Sequence, residues 1–491
     1  MNLRFLLLNL CFCVTFLAHA QNYEANWESL DQRPTQEWFG NAKFGIFIHW
    51  GPYSVPAWSP AGTYTEWYQF WLQQHNIFGN NKPNRDAIPN LQKSVYGEES
   101  NYYDFGKMFK AELYDPAEWA ELIKNAGAKY VILTSKHHDG YTLWPNKHAQ
   151  DGRGFAWNAK DVGPKKDLIG PYVEAMRDAG LKAGLYYSLY EWYHPWYYPL
   201  GKDNKKFVDE HYHPQFKDLV NKYAPDLIYA DGEWDKGDDY WKSAELIQWL
   251  YNESPCKDYV VINDRWFAGC RHKHGGYMST EYETHGVEGH LWEEIRGIGT
   301  SFGYNRDEDL ADYASGKQLI LMLSDIVSMG GNLCLNVGPR ADGKIPVIQQ
   351  QRLMEIGNWL KINGEAIYGT KPYSRPCQWS KGNREIKLKK DGDKYITADY
   401  IERQTLYPTK GDAVKEMFFT TKGEILYAIL PQWKKKLTIK DLQLKNSSEI
   451  ILLGANVKCS WKKNGKDIII TMPQSDMTWN IDKNAFVLKI Q

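Results

Sequence analysis

Short apolar runs recur along most of the chain, and three of them follow one order: a helix-like segment, a turn, then a strand. They are Lys129-Tyr-Val-Ile-Leu-Thr-Ser-Lys-His-His-Asp-Gly140, Ala183-Gly-Leu-Tyr-Tyr-Ser188 and Asp226-Leu-Ile-Tyr-Ala-Asp-Gly-Glu-Trp234. Before the first run, Asp115-Pro116 supplies a cap and a first helical position, and Trp119, Leu122 and Ile123 mark one helix face up to Gly127. Helices over 168–179, ending at Gly180, and over 214–223, ending near Pro225, precede the other two runs. The same pattern predicts strands at 44–49, 260–263, 277–281, 298–302 and 332–337. Eight strands in series, most of them separated by helices, predict an α/β fold: a (β/α)8-like (TIM) barrel over residues 21–370. Helix signals are sparse between 260 and 302, so an irregular barrel wall is expected there.

Beyond Pro372 the period changes to two. Short alternating runs at 386–388, 424–430 and 467–472, separated by turns such as Asp391-Gly392 and Asn464-Gly465, predict a C-terminal β-sandwich over 371–491. Its expected role is to buttress the barrel. Lys434 to Lys436 reads as a solvated edge that discourages further strand pairing. At the other end, one basic residue (Arg4), an apolar run from Phe5 to Leu17 and the small-residue ending Ala18-His19-Ala20 predict a signal peptide, residues 1–20, with cleavage before Gln21. Export is the consequence: secreted, periplasmic or lysosomal. No later run is long and apolar enough to predict a membrane span.

Composition narrows the partners. A net charge of -1 offers no basic field for nucleic acid or anionic membrane, so a small neutral ligand is expected. The chain holds 21 Trp and 33 Tyr, flat faces with a polar edge that suit sugar rings, although most must serve packing. Five cysteines follow the leader (Cys256, Cys270, Cys334, Cys377, Cys459) with no CxxC pair, which argues against a zinc site and a disulfide framework and leaves at most a Cys256–Cys270 bridge. Asn-X-Ser acceptors stand at Asn252 and Asn446. Homo-oligomerisation stays open.

Barrel strands deliver reactive side chains just beyond their C-terminal ends. Asp231 stands at such an end, followed by Gly232, where the chain is able to turn away and leave the carboxylate facing the barrel mouth. Retaining glycoside cleavage needs a second carboxyl as acid, about 5 Å away. Glu281 closes the run Ser279-Thr-Glu281, with Glu283 and Glu293 as rivals, Glu293 the runner-up. His137 and His138 resemble metal ligands at first sight, but adjacent residues on an extended segment point opposite ways and no third ligand lies at suitable spacing. Hydrogen bonding to sugar hydroxyls is the expected role for them, for His49, and for Glu66 beside Trp67.

Several segments together carry a resemblance. Phe44-Gly-Ile-Phe-Ile-His-Trp-Gly-Pro-Tyr-Ser54, Glu66-Trp-Tyr68, Thr134-Ser-Lys-His-His-Asp-Gly-Tyr141, Ser188-Leu-Tyr-Glu-Trp-Tyr-His-Pro195, 226–234, Asn263-Asp-Arg-Trp266 and Gly331-Asn-Leu-Cys-Leu-Asn-Val-Gly-Pro339 resemble glycoside hydrolase family 29, the α-L-fucosidases, in unbroken order from about residue 30 to 375. Glu191-Trp-Tyr-His-Pro195 and Ser301-Phe-Gly-Tyr304 are similar to its broad-specificity branch, which includes the lysosomal enzymes. The resemblance implies a retaining hydrolase of fucosylated oligosaccharides or glycoconjugates, built as a barrel plus a sandwich, with no metal or cofactor. It implies Asp231 as nucleophile and Glu281 or Glu293 as acid/base. For the fucose pocket it implies His49, Glu66, Trp67, His137, His138, Trp234, Arg265 and one tyrosine of the 186/187 pair, with Tyr187 favoured. One departure is visible: Tyr229 stands where many members carry Trp.

Overall fold

The computed structural model describes residues 22–73, 86–197, 205–283, 286–385, 390–391, 394–395, 399–474, 479 and 481–491. The predicted leader and the strand expected at 386–388 lie outside the described residues.

Eight parallel strands form one sheet, β1 (Phe44–Ile48), β2 (Tyr130–Lys136), β3 (Lys182–Ser188), β4 (Leu227–Asp231), β5 (Val261–Ile262), β6 (Met278–Glu281), β7 (Trp292–Gly297) and β8 (Asn332–Val337), in the order β5-β4-β3-β2-β1-β8-β7-β6. The sheet curls so that β1 pairs with both β2 and β8. It is a TIM-like barrel, split between β5 and β6, which are not paired as a ladder. The lower end of the split is closed by two bonds, from the Gly276 and Tyr277 N–H groups to the Ile262 carbonyl.

The helices Pro116–Asn125, Ile169–Asp178 and His213–Tyr223 lie where the apolar period places them. Asp115 caps the first by accepting the Ala117 and Glu118 N–H groups at 2.9 and 3.2 Å, satisfying donors that a helix start leaves unpaired. Ser243–Asn252, Gly316–Ser328 and Val347–Asn363 complete the outer layer, and among the described residues no helix separates β5, β6 and β7. Strand residues of alternate parity point to opposite sides. Tyr130, Ile132, Tyr186, Leu227, Tyr229, Val261, Tyr277, Ile295 and Cys334 therefore fill the lumen, with Phe39 packed among them. Val131, Leu133, Ala183, Leu185, Tyr187, Ile228 and Ala230 face the helices. Each large side chain withdrawn from water this way contributes about 1.5–3 kcal/mol.

The seventh strand is not where the pattern predicts it. It runs Trp292–Gly297, six residues before the expected start at 298. Three of its members are charged, yet all are buried: Glu294 pairs with Arg296 at 2.6 Å and accepts the Thr280 hydroxyl, and Glu293 accepts two tyrosine hydroxyls. A strand that compensates its charges internally leaves no apolar signature.

The C-terminal part has a six-stranded and a three-stranded antiparallel sheet with an apolar layer between them. Phe419, Ala428 and Leu488 point into that layer, while Phe418, Ile429 and Val487 point back toward the barrel. The six-stranded sheet thus lies between barrel and outer sheet. Lys415 reaches Asp325 of the helix Gly316–Ser328 at 2.7 Å to both oxygens, a buried ion pair across this junction. Asn464 and Asp467 close the predicted hairpin, and exposed Lys436 opens the edge strand Lys436–Ile439. Cys256 and Cys270 are both free, so the bridge left open by the sequence is not formed. Cys270 lies instead against the His274 carbonyl. Asn252 spends its amide on Tyr23, accepting the backbone N–H at 3.0 Å and donating to the carbonyl at 2.8 Å, whereas Asn446 is exposed.

Candidate active site

At the upper mouth of the barrel Asp231 ends β4, and Gly232 takes the positive φ (81°) that lets the chain leave sharply. A Cβ at Gly232 would meet the Tyr190 ring at 2.4 Å. Asp231 Oδ2 accepts the Tyr186 hydroxyl at 3.0 Å and lies 3.5 Å from His138 Nε2; Oδ1 accepts Arg265 Nη1 at 3.2 Å. Burial alone would raise its pKa, but Arg265, His138, Arg271 and the Tyr186 hydrogen bond outweigh it and hold the carboxyl below its ordinary value. The group is ionised at neutral pH.

Arg265 follows β5 and spans the split. Its Nε donates to Ser279 Oγ at 2.8 Å, and its Nη2 lies 3.6 Å from Glu281 Oε2 at the end of β6. One buried guanidinium therefore faces both carboxylates. Its own face covers the Tyr229 ring at 5.2 Å, so the tyrosine that departs from the family pattern serves as a platform in the lumen. Glu281 is a third exposed, reachable from the mouth. Glu283 lies beyond the strand, its backbone carbonyl accepting Arg296 and its N–H donating to Glu294 Oε1 at 2.9 Å. The runner-up Glu293 belongs to the lumen. It has no exposure, accepts the Tyr130 and Tyr277 hydroxyls, and burial pushes its pKa up to about 7. The base of β2 supplies Tyr130, so Glu293 sits toward the opposite end of the barrel from Asp231.

The tyrosine pair corrects a sequence expectation. Tyr186 points into the pocket, bonded to Asp231, while Tyr187 points outward and donates to Gln215 at 2.8 Å. In the β3–β4 register Tyr186 stands beside Tyr229 and Ser188 beside Asp231, which sets this parity. A second correction concerns His137 and His138. Their rings do not diverge; the centroids are 4.2 Å apart, because a register shift in the β2–β3 pairing between Thr134 and Lys136 ends regular strand geometry before them. His137 stacks on Tyr186, and His138 Nδ1 lies 2.6 Å from Ser188 Oγ. Burial pushes both pKa values down, that of His138 to about 4, so both are neutral imidazoles. His49 Nδ1 is 2.6 Å from Asn336 Oδ1, and its ring lies beside Phe302.

Glu66 is buried, with Oε2 accepting the Gly303 N–H at 2.9 Å and Ser301 Oγ at 3.3 Å. Trp67 lies parallel to Trp234, centroids 5.7 Å apart, and Trp234 is 41% exposed at the rim. His138 is within 5.3 Å of Trp234. The expected pocket residues except Tyr187 thus converge on one mouth. Sequence reasoning missed Asn336 and the pair Arg271–Glu233, in which Arg271 Nε meets Glu233 Oε1 at 2.6 Å while Nη2 is 3.9 Å from Asp231. Nothing local marks them, whereas Tyr186 is the member of the tyrosine pair that the sequence left as the second choice.

Among the described residues one grouping has metal-like spacing: Glu191, His194 and His211. Two cations already hold its carboxylate, Lys136 Nζ at 2.9 Å and Arg153 Nη2 at 2.6 Å, and His211 Nε2 lies 2.8 Å from it. His194 engages both ring nitrogens, with the Asp151 carbonyl and the Trp196 N–H. It is a charge network, tied to the pocket by the Trp192 N–H bonded to the His138 carbonyl at 2.7 Å.

Two carboxylates around one guanidinium, with indole faces and neutral imidazoles beside them, suit a chemistry in which a sugar is held by its hydroxyls while its anomeric bond breaks. The class is glycoside hydrolase. Comparison with known proteins narrows it: a family model described as alpha-L-fucosidase matches residues 11–365, and one for the alpha-L-fucosidase C-terminal domain matches residues 410–491. The chain is 39% identical over 463 residues to the human tissue alpha-L-fucosidase, covering 92% of this chain and 88% of that one. It is 40% identical over 364 residues to an alpha-L-fucosidase of Dictyostelium discoideum, covering 73% and 76%. The crystal structure of Thermotoga maritima alpha-fucosidase with a mechanism-based inhibitor superposes with a TM-score of 0.76 at 34% identity, covering 95% and 99%. The chain belongs to the α-L-fucosidase family, glycoside hydrolase family 29, and is an α-L-fucosidase. Its tissue-type relatives agree with the branch expected from its motifs.

Proposed function

We propose that this enzyme removes terminal α-L-fucosyl residues from fucosylated glycans by a retaining double displacement, and that it acts after export. In the first step Asp231 Oδ attacks the anomeric carbon and forms a fucosyl ester. The glycosidic C–O bond breaks, its electron pair stays on the departing oxygen, and Glu281 gives that oxygen a proton. In the second step Glu281, now a carboxylate, takes a proton from water, the water oxygen attacks the same carbon, and Asp231 leaves as a carboxylate. Arg265 favours the ionised form of Asp231 at the start and balances the charge that passes to Glu281. His49, Glu66, His137, His138 and Tyr186 are assigned to the sugar hydroxyls, with Trp67 and Trp234 offering apolar faces. Neutral imidazoles both donate and accept, which suits hydroxyls.

The observation that carries this reading is the Arg265 bridge between Asp231 and Glu281. The test is release of 4-nitrophenol from its α-L-fucoside by wild type, by Asp231→Ala, and by Asp231→Gly with added azide. Expected are wild-type turnover, a loss of several orders of magnitude in the Ala variant, and β-L-fucosyl azide from the Gly variant. An α-configured azide product, or full activity of the Ala variant, overturns it. Turnover of a branched α-1,3/1,4-fucosylated oligosaccharide without turnover of the aryl fucoside would assign the stricter linkage preference instead.

A further inference from the structure

The loop after β7 carries Ser301-Phe-Gly-Tyr304 and has no part in the chemistry above, yet its hydrogen bonds converge on the pocket wall. The Gly303 N–H and Ser301 Oγ hold Glu66 Oε2, and Ser301 Oγ also accepts the Thr65 N–H at 3.0 Å. The Phe302 carbonyl accepts Asn336 Nδ2 at 2.7 Å, and the same Asn336 presents Oδ1 to His49. Two expected fucose ligands, Glu66 and His49, thus take their positions from one short loop.

What shapes the loop is Glu308. Its Oε1 accepts two consecutive backbone N–H groups, Thr300 at 2.7 Å and Ser301 at 2.8 Å, folding the segment back on itself. Its other oxygen fills the space over Gly299, where an added Cβ would lie 2.6 Å from Oε2. Gly299 is thereby the residue that admits the carboxylate. Downstream, Asn305 bonds Ser59 through backbone and side chain, the Arg306 N–H meets the Ala57 carbonyl at 2.8 Å, and Asp307 accepts Trp58 Nε1 and the Ala61 N–H. The segment carrying Glu66 and Trp67 is fastened along its length to the segment Glu308 shapes.

We propose that Glu308 is a positioning residue for fucose binding: it touches no substrate, and it fixes the 299–303 turn that aims Glu66 and His49. Two consecutive N–H groups on one carboxyl oxygen hold the turn in a single geometry, which free water would not; burial pushes the Glu308 pKa up to about 7, and the carboxyl keeps an acceptor oxygen for both bonds when it is protonated. The effect falls on binding, because Asp231, Arg265 and Glu281 are held from other strands. The inference rests on Glu66 and His49 being fucose ligands.

The experiment measures kcat and KM on 4-nitrophenyl α-L-fucoside, the inhibition constant of L-fucose, and the melting temperature for wild type, Glu66→Ala, Glu308→Ala and Glu308→Gln. Expected for Glu308→Ala is an inhibition constant and KM higher by about tenfold or more, with kcat within about threefold. Glu308→Gln retains an acceptor oxygen and is expected to restore both constants to within about threefold of wild type. A folded Glu308→Ala with unchanged fucose inhibition overturns the proposal, as does a loss confined to kcat. If the Ala variant does not fold, Glu308→Asp takes its place, drawing the carboxylate back by one methylene with the same expectation and the same refutation. Glu66→Ala separates the two layers: unchanged fucose affinity there refutes the pocket assignment, whereas weakened affinity there beside an unaffected Glu308→Ala refutes only the positioning role.

Discussion

Replacing Tyr186 by Phe tests the electrostatic reading of Asp231 with almost no change of shape. The substitution removes one donor, the hydroxyl 3.0 Å from Asp231 Oδ2, and leaves Arg265 at 3.2 Å on the other oxygen. A hydrogen bond to a charged acceptor contributes about 1.5–3 kcal/mol. The low end applies, because the guanidinium remains and the carboxylate, 12% exposed, is open to replacement by water. About 1.4 kcal/mol is about tenfold in proton affinity. The hydroxyl favours the ionised form, so its loss makes Asp231 easier to protonate and moves the acidic limb of kcat/KM to higher pH. The assay is initial-rate hydrolysis of 4-nitrophenyl α-L-fucoside well below KM, across acid to neutral pH. At the pH where wild type keeps half its plateau value, Tyr186→Phe is expected to keep about a tenth of its own. Tyr187→Phe, which loses hydroxyl bonds to Gln215 and to the Tyr212 carbonyl, both outside the lumen, is expected to overlay the wild-type profile. If the two variants behave alike, or if Tyr187→Phe alone shifts the limb, the hydrogen-bond account of Asp231 is wrong.

Glu281→Gln is expected to lower kcat/KM about 10²- to 10⁴-fold on substrates with poor leaving groups, the usual contribution of a proton donor, while Glu293→Gln stays within about threefold of wild type; the reverse order would make Glu293 the acid. Glu293 also predicts a pH dependence of stability. Its pKa of about 7 in the folded state exceeds that of an unfolded Glu, so the native form holds a proton that the unfolded form releases; from this group stability is greatest at acid pH and is lost as pH rises toward 7. Denaturant unfolding at a series of pH values should show this slope in wild type and a flatter one in Glu293→Gln. Lys415→Met leaves Asp325 charged and buried and is expected to cost about 3–5 kcal/mol, most of it recovered in Lys415→Met/Asp325→Leu. A double variant as unstable as the single one in thermal melts would count against a buried pair at that junction.

The strands whose inner and outer faces are both apolar were legible from the chain, because burial against lumen and helices leaves a continuous run. β1, β2, β3, β4 and β8 are of this kind. β7 was not, since its burial is bought with internal charge compensation by Arg296, Thr280 and two tyrosines. The site was legible to the level of segments: Asp231 and Glu281 close their strands, and Arg265 and the pocket imidazoles stand just beyond strand ends, where a barrel collects such side chains. Side-chain direction was not. Tyr186 and Tyr187 differ by one step of parity, which only the register with β4 supplies. Regular extension would make His137 and His138 diverge, and the shift in the β2–β3 pairing that brings their rings together leaves no mark in the sequence. Contacts such as Asn336 to His49 and Glu308 to Ser301 join distant or irregular segments, and no periodicity announces them.

A ring of strands that is hydrogen-bonded all the way round has a fixed circumference, whereas a split ring is able to open or close by changing the gap. Here Asp231 rides on one lip's neighbour, β4, and Glu281 on the opposite lip, β6. The span between them is therefore governed by side chains lacing the gap: Asp264 Oδ1 accepts the Ser279 N–H and hydroxyl at 3.0 and 2.6 Å, and Arg265 reaches Ser279 and Glu281. The reach of a few polar tips, and not the spacing of a ladder, sets the jaw width of this enzyme. A carboxyl at another position along the β6 lip would therefore need no rebuilding of the wall that carries Asp231.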